Sequence, residues 1–169
     1  MTLTLQDLAR VALIGIGATA VMDIWLALLR RFGIRSSSFA LVGRWVGHLM
    51  QGRFAHADIA RAQPIAGELA WGWVTHYAIG IAFAALLVGV VSVAWTTSPK
   101  LLPALAVGLI TVLAPLCVMQ PAMGAGFLAS RTPTPLKNCL RSVANHAVFG
   151  LGLYVSAVAI AWLSGAFLI

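Results

Sequence analysis

The stretch that decides the fold is residues 73–95, WVTHYAIGIAFAALLVGVVSVAW, in which no Asp, Glu, Lys or Arg interrupts the apolar side chains. An α-helix needs about 20 apolar residues to cross the roughly 30 Å hydrocarbon core of a bilayer. This run is long enough and is apolar on every side, which is typical of a helix surrounded by lipid. We therefore predict a membrane-spanning helix here.

Three further apolar runs have a similar length, and the composition of the whole chain agrees with them. We predict spans at residues 8–29, 73–95, 101–119 and 143–168. The 169 residues are 61% hydrophobic and only 9% charged, against roughly 25% charged in a soluble domain. A soluble globule of this size has too little interior to bury so much apolar surface. The predicted fold class is all-α integral membrane, an up-down bundle of four transmembrane helices forming a single domain over residues 1–169. Asp23 interrupts the first run before any convincing cleavage site, so we expect a retained span and not a signal peptide.

The basic residues predict how the bundle is oriented. Only Arg10 and Lys100 lie on one side of the predicted spans. All other basic residues lie in the two loops of the opposite side: Arg30, Arg31, Arg35, Arg44, Arg53, Arg61, Arg131, Lys137 and Arg141. Lys and Arg concentrate in cytoplasmic loops. The excess therefore predicts a cytoplasmic face that attracts anionic lipids, with both termini periplasmic, and the net charge of +7 requires no nucleic-acid partner.

The cytoplasmic segment 30–72 is too long to be a simple connector. Residues 36–50, SSSFALVGRWVGHLM, begin with serine caps, and the apolar residues that follow cover one side of a helix. We predict an interfacial helix between the first two spans, followed by a segment with Asp58 as a cap. Ser98 before Pro99 and Thr134 before Pro135 predict the starts of the last two spanning helices. Pro115 is expected to kink the third.

A weak internal repeat relates the two halves. VTHYAIG and ANHAVFG each place a histidine, His76 or His146, four residues before a glycine. Residues 15–23, GIGATAVMD, and 107–115, VGLITVLAP, align with Thr19 opposite Thr111. Both halves run in the same membrane direction, which is typical of the parallel repeats found in some transporters. Chance similarity within a limited apolar alphabet is the alternative.

Polar residues gather in the cytoplasmic halves of the spans, and the outer halves contain almost nothing ionisable. The candidate ligand-binding or proton-handling residues are Asp23, Glu68, His76, Gln120, Arg131 and His146. Charged groups inside a bilayer are costly, so they face the bundle interior and find partners. For Asp23 a purely structural hydrogen bond or ion pair with His76 or His146 remains the alternative.

The histidine pair permits a second hypothesis. His76 and His146 would lie at matching depth on parallel helices, and Gly80 and Gly150 would leave room for a flat macrocycle. That arrangement is compatible with bis-histidine ligation of haem b. It is equally compatible with a divalent metal bound together with Asp23 and Glu68. Histidines that merely pack or hydrogen-bond remain the structural alternative.

The motifs of common enzyme classes do not occur. There is no Gly-x-Ser-x-Gly elbow, His-Glu-x-x-His pair or Walker lysine in the sequence, so no enzymatic activity is predicted. Three classes of function remain open: a protein that binds or transports a small ligand or ion through a polar, cytoplasm-facing site, a haem- or metal-binding redox protein, and an accessory or assembly subunit of a larger membrane complex. A homodimer is expected if the protein transports.

At these same residues the sequence resembles the bacterial integral-membrane proteins of domain of unknown function, family 2938. The motifs that carry the resemblance are ATAVMDIW, ALVGRWVGH, GRFAHADI, GELAWGWVTHYAIG, LAPLCVMQPAMGAG, ASRTP and HAVFGLGLY, and they cover nearly the whole chain. The resemblance implies a small inner-membrane protein. It carries no activity with it.

Overall fold

The computed structural model describes residues 4–34 and 38–165, and within these ranges the chain is helical without any strand. The α-helices are α1 Leu5–Arg31, α2 Phe39–Met50, α3 Glu68–Val91, α4 Leu101–Ile110, α5 Gln120–Ala122 and α6 Pro135–Leu163. Shorter turns of 3-10 helix lie at Ile59–Arg61, Val93–Thr96 and Phe127–Ala129, and Pro115–Met119 is a π-helical turn. Four stretches are long and apolar enough to cross a membrane: α1, α3, Leu101–Ala122 and α6. The all-α membrane class is therefore confirmed.

A capping box begins α1, whereas α6 begins at a proline and the preceding Thr134 makes no side-chain capping hydrogen bond. The Thr4 hydroxyl accepts a hydrogen bond from the Asp7 amide at 3.2 Å, and the Asp7 carboxylate accepts one from the Thr4 amide at 3.0 Å. This reciprocal pair fixes the first turn of α1. Thr134 precedes Pro135 at the start of α6, as predicted, because proline is favoured in a first helical turn. The predicted end of the fourth span, residues 166–168, lies outside the described residues.

The second span begins and ends earlier than the predicted limits of 73 and 95. Gly67 and Ser92 flank α3, and both have positive φ, 71° and 118°, a conformation that interrupts a right-handed helix. The prediction that Ser98 starts the third span is wrong, because α4 begins at Leu101. The amides of Thr97 and Ser98 both bond back to the Ala94 carbonyl, so Ser98 closes the preceding turn instead of opening the next helix.

Pro115 disturbs the third span, as the sequence predicts, and the break appears one turn earlier. Proline has no N–H to donate to the carbonyl four residues before it, and its ring crowds that carbonyl. Helix α4 accordingly ends at Ile110, and the Thr111 carbonyl accepts from the Ala114 amide at 3.1 Å instead. The chain then continues through the π-helical turn and α5.

Helix α2 buries two polar side chains and exposes two apolar ones at its end. Ser38 caps it by accepting from the Ala40 amide at 3.2 Å. The other two serines of the predicted cap, residues 36 and 37, lie outside the described ranges. Arg44 and His48 are buried on the side facing α3 and the following loop, whereas Leu49 and Met50 are exposed. The helix predicted between the first two spans is present, and its position at the membrane surface stays a prediction.

The spanning helices pack side by side as antiparallel pairs. α1 lies between α3 and α6, and α4 packs on α6. Along α1 and α6, Gly17 lies beside Ser156 and Trp25 beside Asn145, so the two helices run in opposite directions. Ile14, Ala18, Leu87 and Leu153 are buried between the helices. The up-and-down course of the spans across a bilayer stays a prediction.

Candidate intramembrane polar site

The crossing of α1 and α3 brings a carboxylate and an imidazole together. A Cβ added to Gly15 would lie 2.6 Å from the Ile81 Cα, and a Cβ on Gly80 would overlap the Thr19 hydroxyl. Small residues of this kind let membrane helices approach closely. Thr19 remains satisfied because its hydroxyl donates to the Gly15 carbonyl at 2.8 Å. One turn further along α1 is Asp23.

Both oxygens of Asp23 are hydrogen-bonded by α3. The Nε2 atom of His76 lies 2.9 Å from Oδ1, and the Tyr77 hydroxyl donates to Oδ2 at 2.9 Å. The side chains of Asp23 and His76 retain 19% and 13% exposure. A carboxylate inside an apolar layer needs such donors to remain ionised. We name Asp23, His76 and Tyr77 the α1–α3 triad.

An aromatic side chain from α2 covers the triad. The ring of Phe39 lies 4.5 Å from the His76 ring and 4.4 Å from the Trp73 ring, measured between centroids. Phe39 reaches this position because α2 and α3 touch backbone to backbone. A Cβ on Gly72 would overlap the Phe39 carbonyl, and a Cβ on Gly43 would overlap the Glu68 carbonyl. Helix α2 therefore shields one side of the triad.

Glu68 belongs to a different cluster, centred on Arg44. The guanidinium binds both carboxylate oxygens of Glu68, with Nε to Oε2 at 2.8 Å and Nη2 to Oε1 at 2.9 Å. Its Nη1 atom donates to the carbonyls of Ile59, Ala60 and Ala62. The hydrogen bonds that Arg44 donates to Glu68 raise the pKa of Arg44 above its ordinary value. A bidentate fork of this kind fixes geometry, so Arg44 ties the loop to the start of α3.

Two buried histidines continue this cluster. The Gln63 carbonyl can only accept, so His48 Nε2 donates to it at 3.0 Å. A neutral His48 ring then accepts at Nδ1, and His56 Nε2 donates there at 2.7 Å. His56 Nδ1 is consequently a lone-pair nitrogen, buried and without a partner within the described ranges. Burial, followed by His48 and Arg53, holds the pKa of His56 below its ordinary value.

Gln120 lies near the end of the third span, and Arg131 lies in the segment that follows it. The Gln120 side-chain Oε1 is buried without a partner among the residues described. Arg131 is exposed. The end of this span docks on the loop between α2 and α3, because the amides of His56 and Ile59 donate to the carbonyls of Ala122 and Met123 at 2.8 and 3.0 Å. Neither Gln120 nor Arg131 hydrogen-bonds to the triad.

His146 contacts Thr111 and Phe83. Its Nδ1 atom lies 3.0 Å from the Thr111 hydroxyl, and its ring lies 6.3 Å from Phe83. Phe83 is seven residues beyond His76 on α3, a rise of about 10 Å, so the two histidines belong to different layers. Gly80 and Gly150, expected to make room for a macrocycle, are in close helix contacts with Thr19 and with Ala104 and Gly108. The geometry does not bring His76 and His146 together as a ligand pair.

The structure adds one donor that the sequence interpretation missed. Tyr77 follows His76 directly and shares Asp23 with it. A tyrosine beside a histidine inside a span was a usable signal, but helix phase alone does not say that neighbouring side chains converge on one carboxylate. Within residues 4–34 and 38–165, no group of three or more His, Cys, Asp or Glu side chains is placed to hold a metal ion.

A groove lies apart from the predicted site residues, between the end of α1 and the start of α6. Its volume is about 700 Å³. Its lining residues are Trp25, Leu29, Ile34, Thr134, Pro135, Leu136, Lys137, Leu140, Arg141, Ala144 and Asn145. None of the candidate residues named from the sequence is among them.

Comparison with known families identifies the class to which this fold and site belong. Residues 12–160 match the model of a family described as protein of unknown function, DUF2938. The chain therefore belongs to that family, as its motifs indicated. No curated protein matches the chain, and no solved structure matches it.

Proposed function

We propose that this protein binds or transports a small solute or ion across the membrane and that Asp23 and His76 exchange a proton during its cycle. The observation that carries the proposal is the hydrogen bond of 2.9 Å between these side chains on two apolar helices. Ionisable residues inside spans characteristically mark ion pathways and proton relays. Tyr77 supplies the second donor to the carboxylate.

The triad offers two protonation states with different helix contacts. With Asp23 ionised, both of its oxygens accept hydrogen bonds from α3. A proton placed on the carboxyl group removes its charge and weakens these charge-assisted bonds. The contact between α1 and α3 is therefore weaker in the protonated state. This coupling of a proton to helix packing is what a transport or binding cycle requires.

The location and partners belong to the same proposal. We place the protein in the bacterial inner membrane with both termini periplasmic, because the basic residues follow the positive-inside pattern. Anionic lipids are the expected partners of the basic face, and a homodimer is the expected assembly. The alternative of haem b or a divalent metal at His76 and His146 is less well supported, because Asp23 and Thr111 engage these rings separately. An accessory role in a larger complex has no specific contact in its favour.

The first experiment follows the proton directly and requires no known substrate. Infrared difference spectra of the purified protein are recorded between about pH 5 and 8, the range in which histidine titrates. We expect a carboxyl band that is present in the wild-type difference spectra and absent from those of Asp23→Asn. Asp58→Asn is the matched control, because Asp58 is an exposed acidic residue of the cytoplasmic loop. Spectra in which Asp23→Asn removes no titrating band would refute the proton exchange.

Transport is tested separately in vesicles that contain an entrapped pH dye. A potassium diffusion potential drives protons inward, and the rate of acidification is measured. We expect the wild-type protein and Asp58→Asn to exceed empty vesicles, and Asp23→Asn to match them. If the infrared bands titrate but no protein accelerates acidification, the triad binds protons without conducting them, and the function is binding and not uncoupled transport.

A further inference from the structure

The groove between α1 and α6 has an apolar floor. Trp25 and Asn145 lie at its base, where the indole N–H of Trp25 donates to the Asn145 side-chain oxygen at 3.1 Å. These two polar groups satisfy each other and do not call for a ligand. Leu29, Leu136 and Leu140 are among the apolar residues that line it. The floor therefore suits a hydrocarbon chain.

The rim of the same groove is positively charged. Lys137 and Arg141 are four residues apart on α6, which places both on one face of the helix. No acidic side chain lines the groove. The ion pairs within the described ranges join Arg44 to Glu68, Arg61 to Asp58 and His76 to Asp23, so neither rim cation is neutralised by them.

We propose that this groove is a binding site for one anionic phospholipid. The phosphate lies at Lys137 and Arg141, and an acyl chain follows Leu140 and Leu29 towards Trp25. Charge complementarity selects an anionic headgroup, and the apolar floor selects a lipid over a soluble anion. Basic pockets between transmembrane helices bind such headgroups elsewhere.

The lipid site is separate from the proton site. Asp23 and Trp25 are two positions apart on α1, about 200° around the helix, so they face opposite sides of it. Asp23 contacts α3, and Trp25 contacts α6. The lipid proposal therefore stands independently of the proposed transport function.

Native mass spectrometry of the purified full chain tests the site. The protein is titrated with phosphatidylglycerol and, for comparison, with zwitterionic phosphatidylcholine, and the fraction carrying one lipid is measured. We expect phosphatidylglycerol to bind more tightly. Removing one juxtamembrane charge weakens anionic lipid binding roughly 5-fold, so Lys137→Gln/Arg141→Gln should weaken it about 25-fold.

Two further variants distinguish a built groove from a generally basic surface. Arg53→Gln/Arg61→Gln removes the same charge from the cytoplasmic loop and should leave lipid binding within about 2-fold. Ala144→Phe fills the groove without changing charge, and it should reduce phosphatidylglycerol binding at least as strongly as the loss of one cation.

Each contrary result overturns the proposal. If both double variants lose phosphatidylglycerol binding equally, binding depends on net charge and not on the groove. Unchanged binding in Ala144→Phe would show that the headgroup is bound without an acyl chain in the groove. All five substituted positions are exposed or partly exposed, and substitutions away from buried features usually change stability by less than about 0.5 kcal/mol.

Discussion

Asp23 depends on its partners, because a carboxylate within an apolar span must have both oxygens satisfied. The chain contains two tyrosines, Tyr77 and Tyr154, and only the first donates to Asp23. We predict that Tyr77→Phe lowers the free energy of unfolding in detergent by about 1 kcal/mol, in the range measured for hydrogen bonds between membrane helices. Tyr154→Phe on α6 is the matched control and should change it by less. Equal losses in the two variants would mean that Asp23 does not need the Tyr77 hydroxyl.

The lowered pKa of His56 predicts how the loop between α2 and α3 responds to pH. The neighbours of His56 are His48 of α2 and Arg53 of its own loop, and its amide donates to the Ala122 carbonyl. Because the folded-state pKa is lowered, folding favours the neutral ring. The contribution of His56 to the stability of the loop is therefore complete above the ordinary histidine pKa of about 6.5. It is lost as the pH falls through the lowered pKa of the folded state.

Hydrogen exchange at the amides of His56 and Ile59, which bond to Ala122 and Met123, measures this release. We predict that their protection falls on acidification in the wild-type protein. In His56→Gln, where an amide can still donate to His48, the dependence on pH should largely disappear. A variant that shows the same dependence as the wild type would assign the effect to another group.

At the scale of helices, glycines determine how closely α2 approaches α3. Gly72 and Gly89 both lie on α3, but a Cβ on Gly72 would overlap the Phe39 carbonyl, whereas a Cβ on Gly89 meets nothing within 4 Å. We predict that Gly72→Ala lowers the free energy of unfolding by about 1–3 kcal/mol or more, the range typical of overpacking. Gly89→Ala should be neutral or stabilising by up to about 1 kcal/mol. Thermal unfolding in one detergent compares them, and similar midpoints would contradict the close crossing.

The sequence predicted the helices better than their exact limits. Long apolar runs identified all four spanning stretches, and Ser38 caps α2 as predicted. Thr134 lies directly before α6, but its side chain makes no capping hydrogen bond. The end of α3 could not be read from composition, because Val93 to Trp95 remain apolar after positive φ at Ser92 ends the helix. The predicted limit at residue 101 is where α4 begins, but Ser98 was wrongly assigned as its cap. The Ser98 amide bonds back to the Ala94 carbonyl, and this depends on the conformation of the preceding turn.

The candidate residues of the site could be predicted from the sequence, but their pairing could not. Asp23 and His76 were both suspected as polar residues in apolar spans, and the structure joins them. The pairing of His76 with His146 was inferred from sequence position alone. Whether two side chains meet depends on the rotation and crossing of their helices, and these are set by contacts such as Gly80 with Thr19, which no single span contains.

At the scale of the whole molecule, the proposed orientation makes a direct prediction. Lys100 lies in the connection between the second and third spans, and Arg61 in the loop between the first and second. In a background with Cys117 and Cys139 replaced by serine, an impermeant thiol reagent added to intact cells whose outer membrane is permeabilised should label Lys100→Cys. Arg61→Cys should be labelled only after the inner membrane is opened. The reverse labelling pattern would show that the orientation is opposite to the proposed one.

The contacts of Arg44 also constrain the order in which parts of the chain fold during synthesis. Its carboxylate partner, Glu68, is 24 positions later in the sequence, and the carbonyls it binds at Ile59, Ala60 and Ala62 are likewise synthesised after it. A guanidinium cannot be buried before its partners exist without a large desolvation cost. During synthesis the Arg44 guanidinium therefore stays exposed to water until the first turn of α3 has been made. The second span is thus what completes the helix that precedes it.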